Sequence, residues 1–149
     1  MTALKNPLKN ILGDKEDKFK QLIRNSFDMI VLLDEHGVQK YVSDSCESIL
    51  GYRPDELMDV SVIDRFIHPD DREKARSGLK DILEKSGHGG TQYRHKHKDG
   101  GWVYLEAVGT NQLDNAAIEA VVLNVRDITQ RMNAEQALRE SEKRLNEMN

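Results

Sequence analysis

The sequence predicts an α+β domain, in which a five-stranded antiparallel sheet carries a cluster of short helices on one face and further helices at both chain ends. Three observations lead to this prediction. Two short strand-like runs around residue 30 form a hairpin, and the chain between residues 44 and 87 breaks into short helical pieces. Three long alternating runs then follow, joined by short turns, and strands joined in this way pair antiparallel.

The composition excludes several classes of protein. A chain of 149 residues with 38% apolar and 32% charged residues suits one well-solvated globular domain. The net charge of −4 argues against a nucleic-acid partner, which calls for a basic surface. No apolar run approaches the roughly 20 residues that span a bilayer, and no signal peptide is evident. We therefore expect a cytoplasmic domain without direct membrane contact, whose parent protein could still be membrane-attached.

The amino-terminal segment, residues 1–27, is predicted to form a helical cap or linker. Pro7 suits the first turn of a helix, and Gly13 ends that run. Asp14 can cap a second helix, in which Phe19, Leu22, Ile23 and Phe27 recur at helical spacing.

The next stretch changes its period from helix to strand and then becomes irregular. "DMIVLLD" and "VQKYVS" are predicted strands, and Gly37 in the turn between them is free to take a positive φ. Gly51 should end a short helix in "DSCESILGY", and Pro54 should open another. A longer helix follows Pro69, with an apolar stripe of Ala75, Leu79, Ile82 and Leu83.

The last three strands identify which face of the sheet the helices cover. One parity is uniformly apolar, and we expect it to face the helices; it comprises Val103, Leu105, Ala107, Val121, Leu123 and Val125. The other parity is mixed, yet it still carries Trp102, Tyr104, Val108 and Val122. That much apolar surface predicts a cover on the second face, either the amino-terminal helix or another copy of the chain.

The carboxyl end, residues 129–149, is predicted to be a charged helix that leaves the sheet directly after the last strand. Thr129 is in a suitable position to cap it. Its apolar positions alternate at spacings of four and three, as in a coiled coil with one polar gap; they are Ala134, Leu138, Ser141, Leu145 and Met148. A solvated linker helix is the alternative interpretation.

Several motifs, taken together and in order, resemble the PAS sensor family. They are "VLLDEHGVQKYVSDS", "ILGYRPDEL", "IHPDDRE", "YRHKHKDGGWVYLE" and "RDITQR". One departure is Ser43-Asp44, where many members have Asn-Pro. The resemblance implies a PAS domain over residues 28–128, with a ligand cavity between the sheet and the short helices. It also implies that terminal helices couple the domain to others, with Asp127 and Thr129 transferring the signal.

Residues that share the inward parity or lie in the short-helix cluster are the ligand-pocket candidates. They are Met29, Val31, Leu33, Cys46, Ile49, Leu50, Ile63, Phe66, Tyr93, His95, Leu105, Ala107, Leu123 and Val125. His95 is either a polar contact inside the pocket or a histidine at its rim. The candidate dimer or cover face comprises Trp102, Tyr104, Val108, Val122, Leu138 and Leu145.

No set of catalytic residues is evident, and we expect this fragment not to be an enzyme. None of the five histidines lies in a helix suited to a phospho-accepting residue, and no P-loop or G-G-[DE]-E-F signature occurs. His95 and His97 lack an evident third metal ligand, so no metal is expected. The adduct motif Asn-Cys-Arg of flavin-binding members is missing, and the long helix lacks the histidine that binds haem. Flavin and haem are therefore not expected, and the cofactor remains unassigned.

Two functions remain open at this point. The first is a sensory input module of a larger regulator, most often a histidine kinase of a two-component system, which senses a small molecule and dimerises through its terminal helices. The second is a ligand-free dimerisation adaptor. A cyclic-dinucleotide enzyme or a transcription regulator is the alternative parent protein.

Overall fold

The computed structural model describes residues 28–84 and 88–148. The predicted helices of residues 1–27 lie outside this range. In chain order the elements are β1 (Met29–Leu33), β2 (Val38–Val42), α1 (Cys46–Leu50), a first 3-10 helix (Pro54–Leu57), β3 (Val60–Ser61), α2 (Val62–Arg65), a second 3-10 helix (Pro69–Asp71), α3 (Arg72–Glu84), β4 (His88–Lys96), β5 (Trp102–Gln112), β6 (Ala120–Asp127) and α4 (Thr129–Met148).

The strands form one antiparallel sheet in the order β3-β2-β1-β6-β5-β4. The predicted α+β class is confirmed, but the described part of the sheet has six strands rather than five. The additional strand is β3, which pairs with the start of β2. Two residues are too few to show an alternating pattern, so the sequence did not reveal this strand.

The first hairpin contains a bulge that the sequence did not predict. Gly37 takes a φ of 81° in the turn, as expected. The register then passes from Leu32 opposite Tyr41 to Leu33 opposite Gln39, so that Lys40 has no partner in β1. A bulge of this kind breaks the strict alternation of side chains. Gln39 and Val42 consequently both face the interior, although one is odd-numbered and the other even-numbered.

The core lies between the sheet and the helices of residues 46–84. Val103, Leu105 and Ala107 of β5 are buried in it, as are Val121 and Val125 of β6. Leu123 packs against the same cluster. The predicted assignment of the inner sheet face is therefore confirmed.

A partly buried ion pair joins the second 3-10 helix, directly before α3, to β4. The Arg94 guanidinium donates to both carboxylate oxygens of Asp71, each over 2.9 Å, and the Arg94 backbone N–H donates to the same carboxylate over 2.8 Å. These hydrogen bonds lower the pKa of Asp71 to about 2. The backbone of residues 66–68 also pairs with β4 and covers its outer edge.

The turn between β4 and β5 is tied to α1. The Lys98 N–H donates to the Leu50 carbonyl over 2.9 Å, and the Lys98 ammonium lies 3.0 Å from the Glu56 carboxylate. Gly51 ends α1 with a φ of 83°, and a Cβ there would lie 2.8 Å from the His97 ring. Only glycine satisfies both the left-handed backbone and this close approach.

The carboxyl-terminal helix α4 leaves the sheet with few contacts to it. Leu138, Leu145 and Met148 are exposed, at 60%, 59% and 80% respectively. Within residues 28–84 and 88–148, no helix combines the length and the apolar character needed to cross a bilayer.

Candidate functional site: an interior cavity beside the exit strand

A small cavity of about 50 Å³ lies between the inner sheet face and the short helices. The sheet contributes side chains from β1, β2, β4, β5 and β6, and the helical region contributes three more. The described lining comprises Met29, Val31, Leu33, Gly37, Gln39, Val42, Leu50, Leu57, Val62, Tyr93, His95, Leu105, Leu123 and Val125. None of these residues carries a formal charge at neutral pH, so the cavity suits uncharged molecules.

A second cavity of about 60 Å³ lies next to the first, between the sheet and α3. Leu33, Tyr93 and Leu123 line both cavities and form the partition between them. The other described residues that line the second cavity are Ile63, Ile67, Gly78, Leu79, Ile82, Gly90, Thr91 and Ala107. On the α3 side, Gly78 presents no side chain, and a Cβ there would lie 3.3 Å from the Thr91 side chain of β4.

Most of the predicted pocket residues line one of the two cavities. The first cavity contains Met29, Val31, Leu33, Leu50, Tyr93, His95, Leu105, Leu123 and Val125. Ile63 and Ala107 line the second.

Cys46, Ile49 and Phe66 are not among the residues that line either cavity. Cys46 is fully buried, and its thiol donates to the Tyr52 carbonyl over 3.3 Å. Burial, together with the nearby charges of Glu47 and Asp44, raises the pKa of this thiol to about 12, which makes it a poor nucleophile. Ile49 and Phe66 pack against the core, where the Phe66 ring stacks on His95.

Five residues that line the first cavity were not predicted as pocket residues, namely Gly37, Gln39, Val42, Leu57 and Val62. The bulge at Lys40 explains Gln39 and Val42, because alternation along β2 assigns them to opposite faces. Leu57 and Val62 lie in pieces too short to show a helical period. The sequence signal for Gln39 was only a polar residue within a predicted strand. Whether such a residue is buried or exposed depends on the register of the strand, which the sequence does not show.

His95 is buried in the wall of the first cavity and is only 3% exposed. Its ring stacks on Phe66 with centroids 5.3 Å apart and planes 7° apart. Nδ1 lies 2.9 Å from the Lys96 carbonyl, which can only accept, so Nδ1 carries the proton. Desolvation lowers the pKa of His95 to about 4, and the ring is therefore neutral at physiological pH. His95 is thus a wall residue of the cavity rather than a rim residue.

The joint between β6 and α4 is clamped to β5. The Ile128 N–H donates to the Tyr104 carbonyl over 2.9 Å, and the Tyr104 N–H donates to the Thr129 hydroxyl over 3.0 Å. Asp127 accepts from the Thr129 N–H over 2.9 Å. The prediction that the Thr129 side chain caps α4 is therefore wrong, because Asp127 satisfies the first free N–H and the Thr129 hydroxyl faces β5.

The outer sheet face is only partly open. Trp102 and Val108 of β5 are 41% and 54% exposed, whereas Tyr104 and Val122 are half-buried. Leu32 is only 2% exposed, although it lies on this face opposite Val122. The available apolar surface is therefore concentrated at β5, where Trp102 also contacts the His68 ring.

His68 and His97 also have structural partners. Nδ1 of His68 accepts from the Asp70 N–H over 3.1 Å and supports the turn after Pro69, and Nδ1 of His97 accepts from the Asp99 N–H over 3.1 Å. In the described part of the chain, no group of three or more histidine, cysteine or acidic residues could hold a metal ion.

Comparison with known proteins agrees with this architecture. The sequence profile of the family described as "PAS fold" matches residues 39–122, which is more than half of the chain. The chain belongs to the PAS family. A PAS domain is a sensory module rather than a catalytic one, and the six-stranded sheet with its helical cluster is the PAS fold.

The PAS domain is similar to two curated fungal proteins. It is 37% identical over 78 residues to the White collar 2 protein of Neurospora crassa, and 28% identical over 87 residues to the Blue light receptor lreB of Aspergillus flavus. These matches cover 52% and 58% of this chain, but only 14% and 17% of the relatives. The chain therefore corresponds to a small part of each relative.

Solved structures match over most of the chain. A sensory box histidine kinase/response regulator from Burkholderia thailandensis aligns with a TM-score of 0.69 and 28% identity, covering 87% of this chain and 98% of that one. A PAS domain from Colwellia psychrerythraea aligns with a TM-score of 0.66 and 23% identity, over 78% of this chain and 99% of that one, and supports the fold alone.

Proposed function

We propose that this PAS domain is the sensory input module of a larger cytoplasmic regulator, and that a small molecule in the interior cavity changes the position of α4. The observation that carries the proposal is the path of β6. This strand lines the cavity with Leu123 and Val125, and two residues later it enters the joint that starts α4.

The route from cavity to helix is short and runs along a strand that is paired on both sides. A ligand that displaces Leu123 or Val125 pushes on β6, which is hydrogen-bonded to β1 on one side and β5 on the other. The strain can be released at the joint, where two hydrogen bonds to Tyr104 hold residues 128 and 129. The helix then has two arrangements, clamped and released, and a ligand shifts the population only by its difference in affinity for the two.

The size of the cavities supports a small ligand over flavin or haem. Cavities for drug-sized ligands measure about 300–1,000 Å³. The two spaces here measure about 50 and 60 Å³, with three side chains between them. A molecule of a few heavy atoms fits without large changes, and a larger one requires Tyr93 and Leu123 to move.

For the parent protein we propose a sensor histidine kinase that works as a homodimer. Support comes from the similarity to the Burkholderia thailandensis kinase structure and from the helix that leads out of the domain. A transcription regulator or a cyclic-dinucleotide enzyme is the alternative output.

The test combines ligand screening with amide hydrogen exchange. Neutral metabolites are screened for an increase in melting temperature, and any stabilising compound is then examined by exchange at Tyr104 and Met132, whose amides report on the joint. When the ligand is bound, we expect the exchange rates of both amides to change in the same direction. Stabilisation without any change at these amides would contradict the signalling route.

The second candidate function is a ligand-free dimerisation adaptor. The observation in its favour is that Leu138 and Leu145, seven residues apart on α4, are both mostly exposed. On the sheet, Val108 is likewise more than half exposed and Trp102 is 41% exposed. A seven-residue apolar spacing suits a coiled-coil partner. The adaptor predicts a dimer that no small molecule alters, and sedimentation with and without cell extract distinguishes it from the sensor.

A further inference from the structure

Two side chains of the first cavity carry atoms that can only accept a hydrogen bond and that have no partner in the described chain. The first is Nε2 of His95. Because Nδ1 donates to the Lys96 carbonyl and the ring is neutral, Nε2 presents a lone pair. In the described residues, no fully buried side-chain nitrogen or oxygen lacks a partner, so Nε2 keeps accessible surface on a residue that forms part of the cavity wall.

The second acceptor is the side-chain oxygen of Gln39. The amide nitrogen donates to the Leu57 carbonyl over 2.9 Å. Because a carbonyl can only accept, this contact shows which of the two amide atoms is the nitrogen, and the other atom is therefore Oε1. Gln39 is only 4% exposed and lines the same cavity as His95. Its amide is therefore held in place by the first 3-10 helix while its oxygen stays available.

The rest of the lining determines which molecules these acceptors can recognise. No described lining residue is cationic, so an anion would enter without a counter-charge and with two lone pairs near it. A purely apolar molecule would leave both acceptors unsatisfied, at the cost of their lost hydration. The remaining polar side chain of the lining is Tyr93, whose hydroxyl stays protonated because burial raises its pKa. A neutral hydroxyl both donates and accepts, so Tyr93 does not discriminate between ligands that donate and ligands that accept.

We propose that the cavity selects small uncharged molecules that carry N–H or O–H donors, and that His95 Nε2 and Gln39 Oε1 are the specificity-determining acceptors. This inference rests on the proposed sensory function and specifies its ligand class. Each acceptor contributes selectivity because it belongs to a buried side chain whose other polar atom is already committed. A site built to receive a donor rejects an analogue that lacks one more strongly than a hydrophobic pocket rejects a size change.

Three compounds of four heavy atoms test the proposal, because they share a skeleton and differ in one group. Acetamide is neutral and donates, acetone is neutral and only accepts, and acetate is an anion. Binding to the whole chain is followed by NMR, through the cavity methyl groups and the ring nitrogens of His95. We expect acetamide to bind about threefold to tenfold more tightly than acetone, the factor of one net hydrogen bond, and to shift the Nε2 resonance. Acetate should not bind.

Two variants assign the selectivity to the named acceptors. His95→Phe keeps an aromatic ring to stack on Phe66 but removes Nε2, and Gln39→Met keeps an unbranched chain but removes Oε1. We expect each variant to reduce the preference for acetamide over acetone, while folding is checked by the amide spectrum. Equal binding of acetamide and acetone to the native protein, with cavity methyl groups shifted by both, would overturn this inference alone. If none of the three shifts the cavity methyl groups, both the ligand class and the cavity as a ligand site are refuted.

Discussion

Tyr104 and Thr129 are joined across two elements, because the backbone N–H of Tyr104 in β5 donates to the side-chain hydroxyl of Thr129 at the start of α4 over 3.0 Å. The neighbouring Ile128 N–H donates a hydrogen bond to the Tyr104 carbonyl. A single residue of β5 therefore holds both the entry to α4 and its first residue. The first turn of α4 is consequently coupled to the sheet, although the rest of the helix is mostly exposed.

Thr129→Val should release this coupling. Valine has the shape of threonine but leaves the Tyr104 N–H without its acceptor, which costs about 1–2 kcal/mol in the free energy of unfolding. We expect faster amide exchange at Tyr104 and in the first turn of α4, measured together with urea unfolding. Thr129→Ser keeps the hydroxyl and serves as the control. Unchanged exchange at Tyr104 in the valine variant would show that the hydroxyl does not hold the joint.

Gly109→Ala should push Leu123 without any ligand. A Cβ on Gly109 would overlap the Leu123 side chain and lie 3.0 Å from Ile82. Overpacking of this kind costs about 1–3 kcal/mol. We expect altered exchange at Tyr104 and Met132, as for ligand binding. The double variant Gly109→Ala/Leu123→Ala should lose less stability than the two single variants lose together, because the Leu123 side chain that the new Cβ would overlap is absent. Strict additivity in this cycle would contradict the contact.

Asp71→Asn tests the ion pair between the second 3-10 helix and β4. The folded pKa of Asp71 is about 2, against 3.8 for the free group, so its contribution is fully present above pH 3.8 and is lost as the pH falls toward 2. We expect the variant to lose about 2 kcal/mol at pH 7 and to approach the native protein in stability near pH 2. Asp70→Asn, at a neighbouring side chain that is 78% exposed, is the control and should change stability by less than about 0.5 kcal/mol. A pH-independent difference would mean that charge is not what Asp71 contributes.

His95 should make the protein less stable as the pH falls below 6.5. Its pKa is lowered from 6.5 to about 4 in the folded state, so between these values the unfolded chain binds more protons. The resulting loss is up to about 1.4 kcal/mol per pH unit and on the order of 3 kcal/mol in total. His95→Phe should remove this slope between pH 6.5 and 4.5, in denaturation measured at each pH. An NMR titration in which the His95 ring protonates above pH 6 would refute the buried neutral state.

Leu138→Glu/Leu145→Glu tests the exposed apolar side of α4. If α4 pairs with a second copy of the chain, negative charge at these two apolar positions should shift sedimentation toward the monomer. The free energy of unfolding of the PAS domain should change by less than about 0.5 kcal/mol, because neither residue is buried. Asn146→Glu adds a negative charge at another exposed position of the helix and is the matched control. Identical sedimentation of all three proteins would remove α4 as a dimer contact.

Short-range patterns in the sequence were sufficient for most of the architecture. Alternation along β5 and β6 identified their inner faces, since a buried sheet face requires an apolar side chain at every second residue. Gly37 and Gly51 predicted chain turns, because glycine takes a positive φ without strain, and both residues do have a positive φ. The order of the PAS motifs then led to the family, which the profile match confirms.

Tertiary structure alone decided the details of the cavity and of the joint. The bulge at Lys40 depends on pairing between β1 and β2, and it brings Gln39 inside against the alternation of its own strand. The acceptor for the Tyr104 N–H lies 25 residues further along the chain, in Thr129, so no local pattern could reveal it. The size of the cavity likewise depends on how side chains from five strands and the short helices meet. Local sequence determines which way a side chain points within its element, whereas the space and partners it finds depend on elements distant in the chain.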